Sequence, residues 1–271
     1  MSVIRYNAVR YNTDNAESVS DALAIEGPLT ISINGEVFTI TMRSPGSDEA
    51  LVRGLLFTED VYKSRTKNPE FIFDKRDNLG NPVSVNVLID KNELGDRYLN
   101  KRSLLSVTSC GICGKTELLD HDPEQELNTK NAINLKAESI PNMFLQMKKN
   151  QGTFKESGGS HASSAFDENG NLLSLQEDIG RHNAVDKVIG DLLQNNKLKQ
   201  AKILLVSGRI SYEIVSKCFM AGIPVLAAVS APSSLAVDFA KELGITLLAF
   251  CREDYFTVYS HPEKLNIQQP V

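Results

Sequence analysis

From Lys202 to Ser260 the chain alternates short apolar runs with amphipathic ones, and this restricts the fold more than any other feature of the sequence. Ile203-Leu204-Leu205-Val206 is apolar at every position. A strand of that kind is buried on both faces, so helices must cover both sides of its sheet. The pattern predicts a helix over Ser211–Ala221, a strand over Pro224–Val229, a helix over Ser233–Leu243, a strand over Thr246–Phe250 and a last strand over Phe256–Ser260. Repeated β-α-β of this kind makes an α/β fold with a parallel or mostly parallel sheet. Ligands of such sheets sit at the carboxyl ends of the strands. Three segments fall there: Ser207-Gly208-Arg209, Ser230-Ala231-Pro232-Ser233-Ser234 and Phe250-Cys251-Arg252.

The first hundred residues read differently. Residues 1–28 are polar, with at most a strand over Ile4–Tyr11. Leu29–Ile33 and Val37–Met42 flank Asn34-Gly35, the strongest short hairpin signal, because a type I′ turn needs positive φ at two successive residues. Ser47 or Asp48 can cap a helix running to about Thr58, with Leu51, Leu55 and Leu56 on one face. Glu70–Phe73 and Val83–Ile89 read as a second strand pair. The expected organisation is a small α+β domain over 1–100, a cysteine loop and linker over 101–136, and an α/β domain over 137–271. Within that last domain, Ala137–Asn150 is helical, with Ile140, Met143, Phe144 and Met147 as core. A hairpin of Ala162–Phe166 and Leu172–Gln176 precedes a helix that ends near Asn195.

Composition excludes several classes. A net charge of -5 argues against a broad nucleic-acid footprint, though it permits local phosphate pockets. The N-terminus has no apolar signal core, and no apolar run nears the roughly 18 residues of a membrane helix. Four cysteines in 271 residues do not make a disulfide framework, so the expected compartment is the reducing cytoplasm.

The chemistry concentrates in four places. Cys110 and Cys113 stand as C-x-x-C in the glycine-bearing stretch Ser109–Gly114, which suits disulfide exchange, metal ligation or carriage of sulfur as a persulfide. Lys115 can stabilise a thiolate or persulfide there. Zinc needs four ligands, but Cys218 and Cys251 are isolated and the histidines scattered, so no metal site is expected. Cys218, beside Phe219 and Met220, reads as a buried structural thiol, while Cys251 at a strand end fits burial or a site equally. Gly158-Gly159-Ser160-His161 is a flexible, donor-rich loop. Glu177-Asp178-Ile179-Gly180-Arg181-His182-Asn183 precedes a helix, where Asp178 could be a solvated cap or Arg181 and His182 could meet a phosphate. The strand-end loops offer serine hydroxyls and helix N-termini to anions but match neither dinucleotide nor P-loop patterns.

Together these segments resemble the formate dehydrogenase accessory sulfurtransferase family. The match is carried by Cys110–Lys115, Gly158–His161, Glu177–Gly190, Ser207–Ser211 and Met220–Val237, and extends from about residue 22 to 264. The resemblance implies a cytidine-deaminase-like three-layer α/β domain with a smaller N-terminal α+β domain, acting as a homodimer. It implies that Cys110 accepts persulfide sulfur from a cysteine desulfurase, with Cys113 its partner. The sulfur then passes to the molybdenum cofactor, in its bis(molybdopterin guanine dinucleotide) form, before that cofactor enters the formate dehydrogenase catalytic subunit. Gly159, His161, Arg181, His182, Ser207, Arg209, Ser230 and Ser233 would hold the cofactor, with its guanine end near Phe250, Cys251, Arg252, Glu253, Asp254 and Tyr255. The last stretch is more acidic than a phosphate or guanine pocket ordinarily is. Deamination is not expected, because His161-Ala162-Ser163 lacks the glutamate of H-x-E and the C-x-x-C lies upstream. Two other readings of the residues are a cofactor-binding chaperone and a zinc or dithiol redox enzyme using the same C-x-x-C.

Overall fold

The computed structural model describes residues 2–95, 98, 133–136 and 139–266. Cys110, Cys113 and most of the expected linker lie outside the described residues. Strand β1 (Val3–Tyr11) pairs antiparallel with β2 (Ala16–Ala24) from Val3↔Ala24 to Tyr11↔Ala16. Only β1 was expected. Ala16-Glu17-Ser18-Val19-Ser20-Asp21 has no apolar alternation because both faces of this hairpin are largely exposed.

Strands β3 (Gly27–Ile33) and β4 (Glu36–Arg43) form the expected hairpin, with φ of 51° at Asn34 and 88° at Gly35. Helix α1 (Asp48–Thr58) follows, then β5 (Glu70–Arg76) and β6 (Pro82–Leu88). The sheet order is β4-β3-β6-β5, with β3 and β6 parallel. Leu51, Val52 and Leu56 of α1 pack on Leu29, Ile31, Ile33, Val85 and Val87. The expected side-chain cap of α1 is absent. Ser47 takes a left-handed φ of 52° and makes no capping bond, and Asp48 instead accepts from Arg43 Nε at 2.7 Å. A buried arginine outcompetes the helix end for that carboxylate, since an unpaired buried charge is far more expensive than an open cap.

The larger unit begins at β7 (Ile133–Lys136), so the end of the expected linker over 101–136 is in fact strand. Then come α2 (Ser139–Asn150), the short α3 (Gly152–Ser157), and the hairpin β8 (His161–Phe166) and β9 (Leu172–Asp178). Helix α4 (Arg181–Gln194), β10 (Ile203–Val206), α5 (Tyr212–Ala221), β11 (Val225–Ala228), α6 (Ser234–Glu242), β12 (Thr246–Ala249) and β13 (Thr257–Ser260) complete the alternation. Strand β14 (Leu265–Asn266) runs parallel to β7.

The six-stranded sheet has the order β13-β12-β11-β10-β8-β9. It is mixed rather than mostly parallel. Strands β10, β11 and β12 pair in parallel, while β8 and β13 are antiparallel to their neighbours. The returns into β9 and β13 are too short for a crossover helix, so they reverse direction. Leu204, Val206, Leu226 and Leu247 pack with Val185, Val188 and Ile189 of α4, with α5 and with α6. Ile203, Leu205, Val225 and Leu248 pack on Ile140, Met143 and Met147 of α2. The result is a three-layer α/β unit beside a smaller α+β one, the expected fold class.

Helices α1 and α4 cross in near-contact and join the two sheets. A Cβ added to Gly54 would lie 1.9 Å from the Asp186 carbonyl oxygen, and one on Gly190 would lie 1.8 Å from that of Ala50. Asp178, fully buried, is no solvated cap: it pairs with Lys187 Nζ at 2.7 Å and accepts from Ser44 N, Gly180 N and Asn183 Nδ2.

Candidate functional site

Strands β9, β10, β11 and β12 all end at one edge of the large sheet, and β8 and β13 begin there. The loops expected to carry the site are therefore brought together by topology. A cavity of about 650 Å³ opens at this edge. Of the expected residues, Gly159, His161, Ser207, Cys251, Arg252 and Glu253 line it. The opposite wall was not expected. It comes from α2 and its continuation, with Phe144, Leu145, Met147, Lys148 and Phe154. Met147 and Phe144 were read as core alone. Leu145 and Phe154, 37% and 44% exposed, are the sequence signal for a second apolar face.

Ser207 is held in place by two bonds: its Oγ accepts from Ala162 N at 2.9 Å, and its N donates to Ala162 O. The hydroxyl hydrogen remains available to an acceptor in the cavity. Cys251 is almost fully buried, and burial pushes its thiol up to about 12, so it is protonated at neutral pH. Cys218, also buried, donates to Ile223 O and is pushed still higher, as a structural thiol should be. Arg252 Nη1 donates to Val229 O at 2.6 Å and Cys251 O at 2.9 Å, and its N–H donates to Tyr255 O. These bonds close the Phe250–Tyr255 turn, where Phe250 has a φ of 52°.

A basic cluster stands at the edge of the cavity. His161 is half-buried, and its pKa is lowered first by burial and then by the charges of Arg181, His182 and Arg209. Its imidazole is therefore neutral at pH 7. Gly208 permits the cluster, because a Cβ there would sit 3.2 Å from His161 Nδ1 and 3.6 Å from Arg181 Cβ. Arg181 begins α4, whose N-cap Gly180 offers no side-chain cap, and its Nε is buried without a partner among the described residues. Arg209 is exposed in the loop after β10. An uncapped helix start with two guanidinium groups suits an oxyanion such as phosphate.

The remaining expected residues lie farther from the cavity wall. His182 is mostly buried and turns to α5, with Nε2 at 3.3 Å from Ser211 Oγ. Ser233 caps α6 by accepting from Ala236 N. Ser230 lies next to the lining residue Val229 and accepts from Phe250 N through its carbonyl. The Phe250 ring faces Tyr259 at 6.4 Å, while Asp254 and Tyr255 are exposed. Glu177 accepts from Thr153 N and Phe154 N at 2.8 Å and from Ser160 Oγ at 2.7 Å, which anchors α3 against the sheet. Among the described residues no cluster of three histidine, cysteine or carboxylate side chains could hold a metal, and no helix is long and apolar enough to cross a membrane.

Residues 24–266 match the sequence model described as the FdhD/NarQ family. "Sulfur carrier protein FdhD" of Streptomyces coelicolor is 37% identical over 98% of this chain and 97% of its own length. The protein of that name from Sulfolobus acidocaldarius is 39% identical over 92% of this chain and 93% of its own. A crystal structure provisionally described as a formate dehydrogenase accessory protein from Desulfotalea psychrophila superposes with a TM-score of 0.75 at 23% identity, over 98% of this chain and all of that one.

Proposed function

The chain belongs to the FdhD/NarQ family, and from that membership we propose that it is a sulfur carrier serving formate dehydrogenase, with Cys110 as the persulfide-bearing thiol. A cysteine desulfurase is the proposed donor. The Cys110 thiolate attacks the outer sulfur of the donor persulfide. Cys110-S-SH forms, and the donor leaves as its thiolate. The recipient is the molybdenum cofactor in its bis(molybdopterin guanine dinucleotide) form, bound as cargo on its way to the dehydrogenase catalytic subunit. Delivery of the carried sulfur as sulfide takes up two electrons. Cys113 can supply them by closing a disulfide with Cys110.

The observation that supports this reading is the cavity at the strand ends. It has an apolar wall from α2, hydrogen-bonding groups at His161 and Ser207, and the basic cluster of Arg181 and Arg209 at its edge. That combination suits a large flat ligand with a phosphate-bearing end. The proposed assembly is a cytoplasmic homodimer. The proposed organisation is a small domain over 1–100, the cysteine segment over 101–136 and the cofactor domain over 137–271.

Mass spectrometry after incubation with a cysteine desulfurase and cysteine tests the carrier role. The expected result is a mass gain of one sulfur atom that disappears in Cys110→Ala. If Cys110→Ala restores full formate dehydrogenase activity in cells lacking the protein, Cys110 is not the carrier. A cofactor-binding chaperone then becomes the better reading.

A further inference from the structure

One carboxylate near this site has no evident reason to be there. Glu213 lies in the first turn of α5, immediately after the loop that carries Arg209. It is 3% exposed, and neither carboxylate oxygen has a hydrogen-bond partner within normal distance among the described residues. Burying such a group is expensive, so its neighbours must repay the desolvation. The ionisable side chain it meets is His182 on α4, with Nε2 at 3.7 Å from Oε2, and the same nitrogen lies 3.3 Å from Ser211 Oγ. Burial works against the carboxylate charge, but His182 and Ser211 overcome it and hold the carboxyl down to about 2.

The position of this pair matters. His182 is the residue after Arg181, and Ser211 is two residues after Arg209. The contact therefore ties the N-terminus of α4 to the N-terminus of α5. Neither helix start has a side-chain cap of its own. We propose that Glu213 is a positioning residue which, acting through His182, fixes the spacing of Arg181 and Arg209 so that both can grip one pyrophosphate-class anion. The inference rests on the anion-binding role given to those arginines above, and adds to it the element that sets their geometry.

The sign of one substitution decides the matter. Glu213→Gln keeps the shape and removes a negative charge from the start of α5, beside His182. If charge alone mattered, anion binding would tighten. A positioning role gives the opposite, a weakening of roughly tenfold, in the range of coupling measured for contacting residues. The experiment is calorimetric titration of the full chain with inorganic pyrophosphate, for wild type, E213Q, H182Q and the double variant. The expected result is weaker binding in E213Q and no further loss when E213Q is added to H182Q. Equal or tighter binding by E213Q overturns the proposal, as does an undiminished loss in the H182Q background. Should E213Q fail to fold, E213D is measured instead: weaker binding supports the proposal and unchanged binding overturns it. If wild type itself binds no pyrophosphate, the anion-binding reading falls first and takes this inference with it, a failure distinct from one confined to the Glu213 variants.

Discussion

At the scale of single residues, the most consequential side chains outside the cavity are the buried charges. Lys217 on α5 donates to both oxygens of Asp186 on α4, at 2.8 and 2.9 Å, and to Thr58 Oγ1 of α1 at 2.9 Å. Burial disfavours both charges and raises the Asp186 carboxyl, while Asp186 and Glu59 raise the Lys217 ammonium, so each charge depends on its partner. Such a pair has large opposing terms. Removing one partner strands the other charge, whereas removing both removes the desolvation penalty as well. Asp186→Ala is expected to lower stability by about 3–5 kcal/mol. Asp186→Leu combined with Lys217→Met should lose much less. Urea denaturation of the single and double variants checks this, and an equally large loss in both would show that volume rather than stranded charge dominates.

At the scale of elements, most helices and strands could be read from periodicity, whereas the contacts between them could not. Asn34-Gly35 gave its hairpin because a two-residue turn is written locally in φ. Strand β2 was missed because an exposed strand carries no alternation. The Glu177–Asn183 segment was read as charged loop chemistry. Asp178 and Glu177 are in fact committed to Lys187, Ser44 and α3, His182 turns to α5, and only Arg181 remains for the site. The partners of Asp178 lie far away in sequence, so no local pattern announces them. The apolar wall of the cavity was hidden for a similar reason: Met147 serves core and cavity at once. Gly54 shows the limit most sharply. As a glycine inside a helix it should be improvable, since Gly→Ala in an exposed helix gains about 1 kcal/mol. Here the new Cβ would meet the backbone oxygen of Asp186 at 1.9 Å, and backbone cannot step aside. Gly54→Ala is therefore expected to destabilise by about 1–3 kcal/mol. A gain in melting temperature for that variant would mean that α1 and α4 are not so closely crossed.

At the scale of the whole molecule, the contact between the two sheets bears directly on the site. Phe57 of α1 belongs to the core of the larger unit, and Arg65 reaches the end of α5, donating to Met220 O and Ala221 O. Ser44, just after β4, donates its backbone N–H to Asp178, and its Oγ accepts from Ile179 N. Ile179 and Gly180 are the link to Arg181, so the chain that presents the basic cluster is held from the small unit. This gives the small unit a mechanical part in the site although none of its described residues lines the cavity. Two consequences follow from the same coupling. The described structure should unfold in one transition, with calorimetric and van't Hoff enthalpies equal. An anion bound at Arg181 should also stabilise the small sheet, because binding to the native state shifts the whole cooperative unit. Hydrogen exchange at Val85 and Val87 of β6 should therefore slow when pyrophosphate is added, and Asp178→Asn should abolish that slowing. Slower exchange confined to β8–β12, or two separate melting transitions, would show that the small sheet rides beside the site without supporting it.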